Sequence, residues 1–218
     1  MSKPGGASHT LVLGVLASGR GSNLQALIDA IEAGRLPARI AVVLSNKKEA
    51  QALERARKHS INGIFIDPKN YESREAYDEA IYRDLKDHRV GLLVLAGYMR
   101  LLTPSLVAPF RGRIINIHPS LLPAFPGLNA QRQALAYGVK ISGCTVHFVD
   151  EQMDHGPIIA QAAVPALQDD TELTLTDRIL VEEHRLLVDV VQRFAEGRLA
   201  IRGRVVETAS PPCTEVIP

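Results

Sequence analysis

The chain has 218 residues, of which 46% are hydrophobic and 22% charged, a balance that excludes a disordered or collagen-like chain and allows a sizeable core. Lys and Arg number 25 against 24 Asp and Glu, a net charge of +1, so no general pull toward nucleic acid or membrane is expected. The longest apolar run, residues 91–99, is far short of the roughly 18 residues a membrane helix needs.

Residues 1–8 are small and polar, without an apolar stretch behind them. They read as a frayed start, not a secretory signal, and point to a cytoplasmic protein. Residues 10–16 form an apolar strand. A helix follows over 23–33, with Leu24, Leu27, Ile28 and Ile31 on one face. Strands at 40–44, 63–66, 91–96 and 113–117 then alternate with helices at 50–59, 74–87 and 104–110. That alternation predicts an α/β fold, a Rossmann-like, mostly parallel sheet with helices on both faces. Two later strands, 143–149 and 158–164, are joined by a short Asp/Gly-rich link and predict an added antiparallel pair. Residues 173–196 read as one long amphipathic helix stopped at Gly197, and 200–207 as a last edge strand. A single domain over residues 1–218 is expected, with its core at 10–199 and a loose Pro-rich tail at 209–218. The two cysteines, Cys144 and Cys213, support neither a disulfide framework nor a metal site.

Two segments carry chemistry. The first is Ser18-Gly19-Arg20-Gly21-Ser22-Asn23-Leu24, between the first strand and first helix. Its glycines let the backbone approach an anion, the helix start supplies free N–H groups, and Ser22 or Asn23 could cap the helix. Leu24 stands where a dinucleotide fingerprint needs its third glycine, and Ser45-Asn46-Lys47 offers no acid for a ribose. No Gly-Lys-Ser/Thr follows, so the loop is no P-loop either. A cradle for one phosphate is the functional reading; a plain tight turn is the alternative.

The second is Asn116-Ile117-His118-Pro119-Ser120-Leu121-Leu122-Pro123. Alternation puts Asn116 and His118 on one side of a strand, at the carboxyl edge where open α/β sheets bind ligands. An amide donor beside an imidazole suits a carbonyl that becomes an oxyanion. Asp154 is the candidate carboxylate partner, with Asp150 and Glu151 as competitors; a buried structural histidine is the bland alternative for His118. No nucleophile elbow is present, which favours direct attack by an amine or water. His147 reads as structural. A metal at His155, Asp150 and Asp154 matches no known spacing, and His184 with Glu182 and Glu183 reads as a solvated face.

Together with Leu95-Ala96-Gly97-Tyr98-Met99-Arg100, Thr145–Phe148, Asp154 and Gly156, these segments resemble the folate-dependent glycinamide ribonucleotide formyltransferase family over residues 11–199. The resemblance implies transfer of a formyl group from 10-formyltetrahydrofolate to the amine of glycinamide ribonucleotide, with these two small molecules as partners and no metal. It implies that Gly21, Ser22 and Asn23 hold the phosphate and Glu183 the ribose. Asn116 and His118 would stabilise the oxyanion while Asp154 keeps His118 protonated and helps move the amine proton. Arg74 would meet the folate tail, and Met99, Arg100, Leu101 and Leu102 would line the pterin pocket, largely through backbone. Residues 120–141 would be a mobile lid, with a candidate cis peptide at Leu122–Pro123. Ala124, His155 and Leu180 depart from the family pattern at a lysine, a glycine and a polar position. They touch lid contacts, the 150–156 loop and one substrate hydrogen bond.

Three rivals are weighed against this reading. A formyltetrahydrofolate hydrolase is expected to need an N-terminal domain for which no room is left before residue 10. A methionyl-tRNA formyltransferase is expected to need a longer C-terminal segment and a more basic surface. A non-catalytic sensor on this fold is expected to have lost Asn116, His118 or Asp154.

Overall fold

The computed structural model describes residues 10–210. The expected loose end at residues 1–8, most of the expected tail and Cys213 lie outside the described residues. The first half alternates as expected: β1 (Leu11–Leu16), α1 (Ser22–Glu32), β2 (Ala38–Ser45), α2 (Gln51–Lys58), β3 (Asn62–Phe65), α3 (Arg74–Asp87), β4 (Leu92–Leu95), α4 (Pro104–Val107, continued by a 3-10 turn at Ala108–Phe110) and β5 (Ile114–His118). The second half comprises α5 (Ala130–Tyr137), β6 (Ile141–Phe148), β7 (Ile158–Pro165), α6 (Glu172–Ala195), β8 (Leu199–Arg202) and β9 (Val205–Thr208).

All nine strands join one sheet in the order β3-β2-β1-β4-β5-β6-β7-β9-β8. β1 to β5 pair in parallel; β6 is antiparallel to β5, and β7 to β6. A separate apolar core fills each face of the sheet. Leu24, Leu27 and Ile28 of α1, Ala52 and Ala56 of α2, and Leu175, Ile179, Leu187 and Val191 of α6 cover one. Tyr77, Ile81 and Leu85 of α3, with Leu106, Val107 and Phe110, cover the other. Helices on both faces force the central strands to be apolar throughout, as β4 is.

Two expectations need correction. The single last strand is a hairpin: Arg202 pairs with Val205, leaving a two-residue turn in which Gly203 takes φ +62°. Neither Ser22 nor Asn23 caps α1; Gly21, in the left-handed region, is the N-cap and there is no side-chain cap. The segment expected as a mobile lid, residues 120–141, contains α5, which buries only Ala130 and Ala134 and so lacks a large apolar stripe to betray it. The Leu122–Pro123 bond is cis. Among the described residues no helix is long and apolar enough to cross a membrane.

Candidate active site

The Ser18–Leu24 loop owes its shape to Gly21. Its φ is +71°, and a Cβ there would stand 2.9 Å from both the Ala52 Cα and Cβ, so a side chain is excluded twice over. α2 braces the loop: Ala52 N–H donates to the Gly19 carbonyl at 3.1 Å and Arg55 Nε to the Arg20 carbonyl at 2.8 Å. The first helical bond of α1 runs from Gln25 N–H to the Gly21 carbonyl, which leaves the amides of Ser22, Asn23 and Leu24 without helical partners, at the positive end of the helix. Asn23 turns inward instead of capping. Its Nδ2 donates to Glu183 Oε2 at 2.7 Å, from α6. The reading of Glu183 as a solvated face is therefore wrong: its side chain is 5% exposed, and burial pushes its carboxyl up to about 6 against the opposing pull of the Asn23 hydrogen bond. Asn23 Oδ1 is buried and has no partner among the described residues. An unpartnered buried acceptor beside a buried carboxylate is costly unless a ligand donor completes it.

Ser18 ties this loop to its neighbours. Its N–H donates to the Gly97 carbonyl at 3.1 Å, and its Oγ donates to Asn46 Oδ1 at 2.6 Å and accepts from Met99 N–H at 2.9 Å. The segment after β4 is thereby held at the same sheet edge as the loop after β1. There Met99 is 63% and Leu101 47% exposed, two apolar side chains offered to the outside. Arg74, the first residue of α3, donates to the Leu101 carbonyl at 2.9 Å. Arg100 lies over the Tyr77 ring at 4.9 Å. Leu102 differs from its neighbours: its side chain packs into the core beneath.

Asn116 and His118, at the end of β5, meet Asp154. His118 Nδ1 is 3.4 Å from Asp154 Oδ2, and Asn116 Nδ2 is 3.4 Å from Asp154 Oδ1. The two competing carboxylates are engaged elsewhere, Asp150 with His155 at 2.9 Å and Glu151 with Arg111 at 3.4 Å. The tightest partner of Asp154 is the Gly127 N–H at 2.7 Å, from the segment between β5 and α5. That segment also supplies the Phe125 carbonyl, 2.9 Å from His118 Nε2. Both His118 nitrogens thus face acceptors. Thr145 and Gln161 hold the turn in place. Thr145 Oγ1 donates to the Ser120 carbonyl at 2.7 Å and accepts from Leu122 N–H at 3.0 Å, and Gln161 Nε2 donates to the Leu122 carbonyl at 2.9 Å.

His147 belongs to this cluster, although its strand alone reads as structural. The β5–β6 register sets it directly opposite Asn116, and β6–β7 pairing shifts at Val146/His147. Its Nδ1–H donates to the Phe148 carbonyl at 2.8 Å, leaving Nε2 to accept from Asn116 Nδ2 at 3.1 Å. Burial pushes its pKa down, and a neutral ring is what that acceptor role requires. His147 therefore fixes which way the Asn116 amide faces. The only sequence signal was the shared face of Thr145 and His147; the pairing of β6 with β5 was not legible. Cys144, on the same strand, is no nucleophile, since burial pushes its thiol up to about 12. Among the described residues no group of three or more His, Cys, Asp or Glu side chains is placed to hold a metal ion.

A family model described as formyl transferase matches residues 12–191 of this chain. The chain belongs to the formyl transferase family. Its relatives within the family narrow the comparison. It is 44% identical over 185 residues to the phosphoribosylglycinamide formyltransferase of Escherichia coli strain K12, covering 85% of this chain and 87% of that protein. It is 53% identical over 187 residues to the trifunctional purine biosynthetic protein adenosine-3 of Drosophila pseudoobscura pseudoobscura, where the match takes up 85% of this chain but spans only 14% of the fly protein. Among solved structures, the glycinamide ribonucleotide transformylase 1 of Symbiobacterium toebii superposes with a TM-score of 0.92 at 53% identity, covering 93% of this chain and 95% of that one.

Proposed function

We propose that this formyl transferase moves the formyl group of 10-formyltetrahydrofolate to the primary amine of glycinamide ribonucleotide, a step of purine biosynthesis. The observation that carries the reading is the convergence of Asn116, His118 and Asp154 at one sheet edge, each contact to the carboxylate being 3.4 Å. Likeness to relatives named for this activity supports the choice of substrates.

The two substrates would enter from opposite sides. The Ser22–Leu24 amides would hold the ribonucleotide phosphate, and Asn23 Oδ1 with Glu183 would accept hydrogen bonds from its ribose. The donor fits the other side: exposed Met99 and Leu101 offer apolar contact to a flat ring system, and exposed Arg74 offers a cation to an acidic tail. When bound, the donor supplies an activated carbonyl. A 3.4 Å contact is at the long limit for a hydrogen bond, so the Asn116 N–H now aimed at Asp154 is available to a carbonyl oxygen gaining charge. The neighbouring His118 ring, when it carries a second proton, would add positive potential there. Asp154 takes the proton that the amine sheds as its bond to the formyl carbon forms. As the bond to the folate nitrogen breaks, a proton is returned to that nitrogen, which leaves the enzyme in its starting state. No acyl-enzyme is needed.

The test is a spectrophotometric assay of folate release with and without glycinamide ribonucleotide. Release that depends on the amine, with formylated ribonucleotide as product, is expected. Release at the same rate without the amine would replace transfer by hydrolysis.

A further inference from the structure

The C-terminal hairpin reaches the loop that carries Asp154. Arg204, in the β8–β9 turn, donates from one terminal nitrogen to the His155 carbonyl at 2.7 Å. Its other terminal nitrogen lies 3.3 and 3.2 Å from the two ring nitrogens of His155. His155 Nδ1 is in turn 2.9 Å from Asp150 Oδ2, and the other Asp150 oxygen accepts from Gln152 N–H at 2.9 Å. A continuous chain of contacts thus runs from the hairpin through His155 to the start of the loop, and brackets Asp154 between its anchored ends.

Asp154 needs bracketing. Its φ is +50°, a region that costs a non-glycine residue free energy and persists only where surroundings hold it. Its 3.4 Å contacts to Asn116 and His118 leave no slack, because a shift of about 1 Å in a reacting group can cost on the order of 10²-fold in rate. Neighbouring charges do not substitute for Arg204. Arg111 reaches only Glu151, and Arg202, on the same hairpin, is spent on Glu207 at 2.7 Å. Arg204 and His155 are exposed, where an ion pair adds little to global stability. The contribution expected of them is local order.

We propose that Arg204, acting through His155 and Asp150, is a positioning residue for Asp154. The kinetic side of this proposal rests on the formyl-transfer reading; the structural side does not. Arg204→Ala is expected to lower kcat about 3- to 10-fold while leaving KM for the ribonucleotide, whose proposed cradle is the Ser22–Leu24 amides, within about 2-fold. Its solvent deuterium isotope effect on kcat should rise, because proton transfer to a loosened Asp154 becomes more limiting; mere loss of folded enzyme would not change it. Arg204→Lys should recover part of the loss, and Arg202→Ala should match the parent chain. Amide hydrogen exchange at residues 150–156 should quicken in Arg204→Ala and not in Arg202→Ala. An unchanged kcat with unchanged exchange overturns the proposal, as does a fall in kcat with isotope effect and loop exchange both unaltered. Should the parent chain fail to transfer formyl groups, the reading of its activity falls. The exchange comparison then decides alone whether Arg204 sets the loop.

Discussion

The two ends of the candidate site are built by different physics. The end around Gly21 is mainly backbone: consecutive amides at the start of one helix, shaped by one glycine and backed by Ala52. The end around Asp154 is mainly side chains, drawn from the tip of β5, the last residues of β6 and the loop beyond it. A backbone site tolerates side-chain change but not a change of conformation. A side-chain site is the reverse, since each group must be the right one and in place.

The largest effect that contrast predicts is at the side-chain end. His118→Ala or Asp154→Ala should each cut turnover by at least ~10²-fold with only modest change in either KM. Steady-state kinetics showing near-normal kcat in both would remove the cluster from the chemistry. At the backbone end the effect should be smaller and fall on binding. Gly21→Ala should raise KM for the ribonucleotide on the order of 10-fold, through the φ of +71° and the clash with Ala52, whereas Ser22→Ala should raise it only a few-fold. A larger rise in the folate KM than in the ribonucleotide KM would show that the two ends have been assigned the wrong way round.

An effect on stability rather than on catalysis concerns the residue that joins the backbone end to α6. The Glu183 carboxyl is raised in the folded chain from 4.5 to about 6, so folding favours its protonated form. The stability it contributes is fully present below pH 4.5 and is lost as pH rises through about 6, a difference of about 2 kcal/mol. Glu183→Gln keeps an acceptor for Asn23 without a charge to bury. Denaturant unfolding across that window should show a flatter stability profile in the variant than in the parent chain. Parallel profiles would mean that Glu183 is not the group responsible.

Much of this was legible as local pattern. Leu24, Leu27 and Ile28 recur at helical spacing and do pack into the core; β4 is apolar throughout and does lie buried between two strands. Asn116 and His118 were legible because alternation within one strand settles which side chains share a face. α5 was not, because a helix that buries two alanines leaves no periodic signal. Nor was the last hairpin, since a turn needs only two residues and Gly203 passes for an ordinary strand glycine.

What needed the folded chain were the facts that depend on register and on residues far apart in sequence. Of Asp150, Glu151 and Asp154, only the fold shows which one reaches His118. His147 faces Asn116 because of the β5–β6 pairing, across 31 positions, and Glu183 meets Asn23 across 160. The reason is one of range. Backbone periodicity and turn chemistry act over a few neighbours and so can be read from the chain alone. Burial, and the hydrogen bonds that burial makes obligatory, are imposed by elements that meet only once the sheet and its two cores have closed.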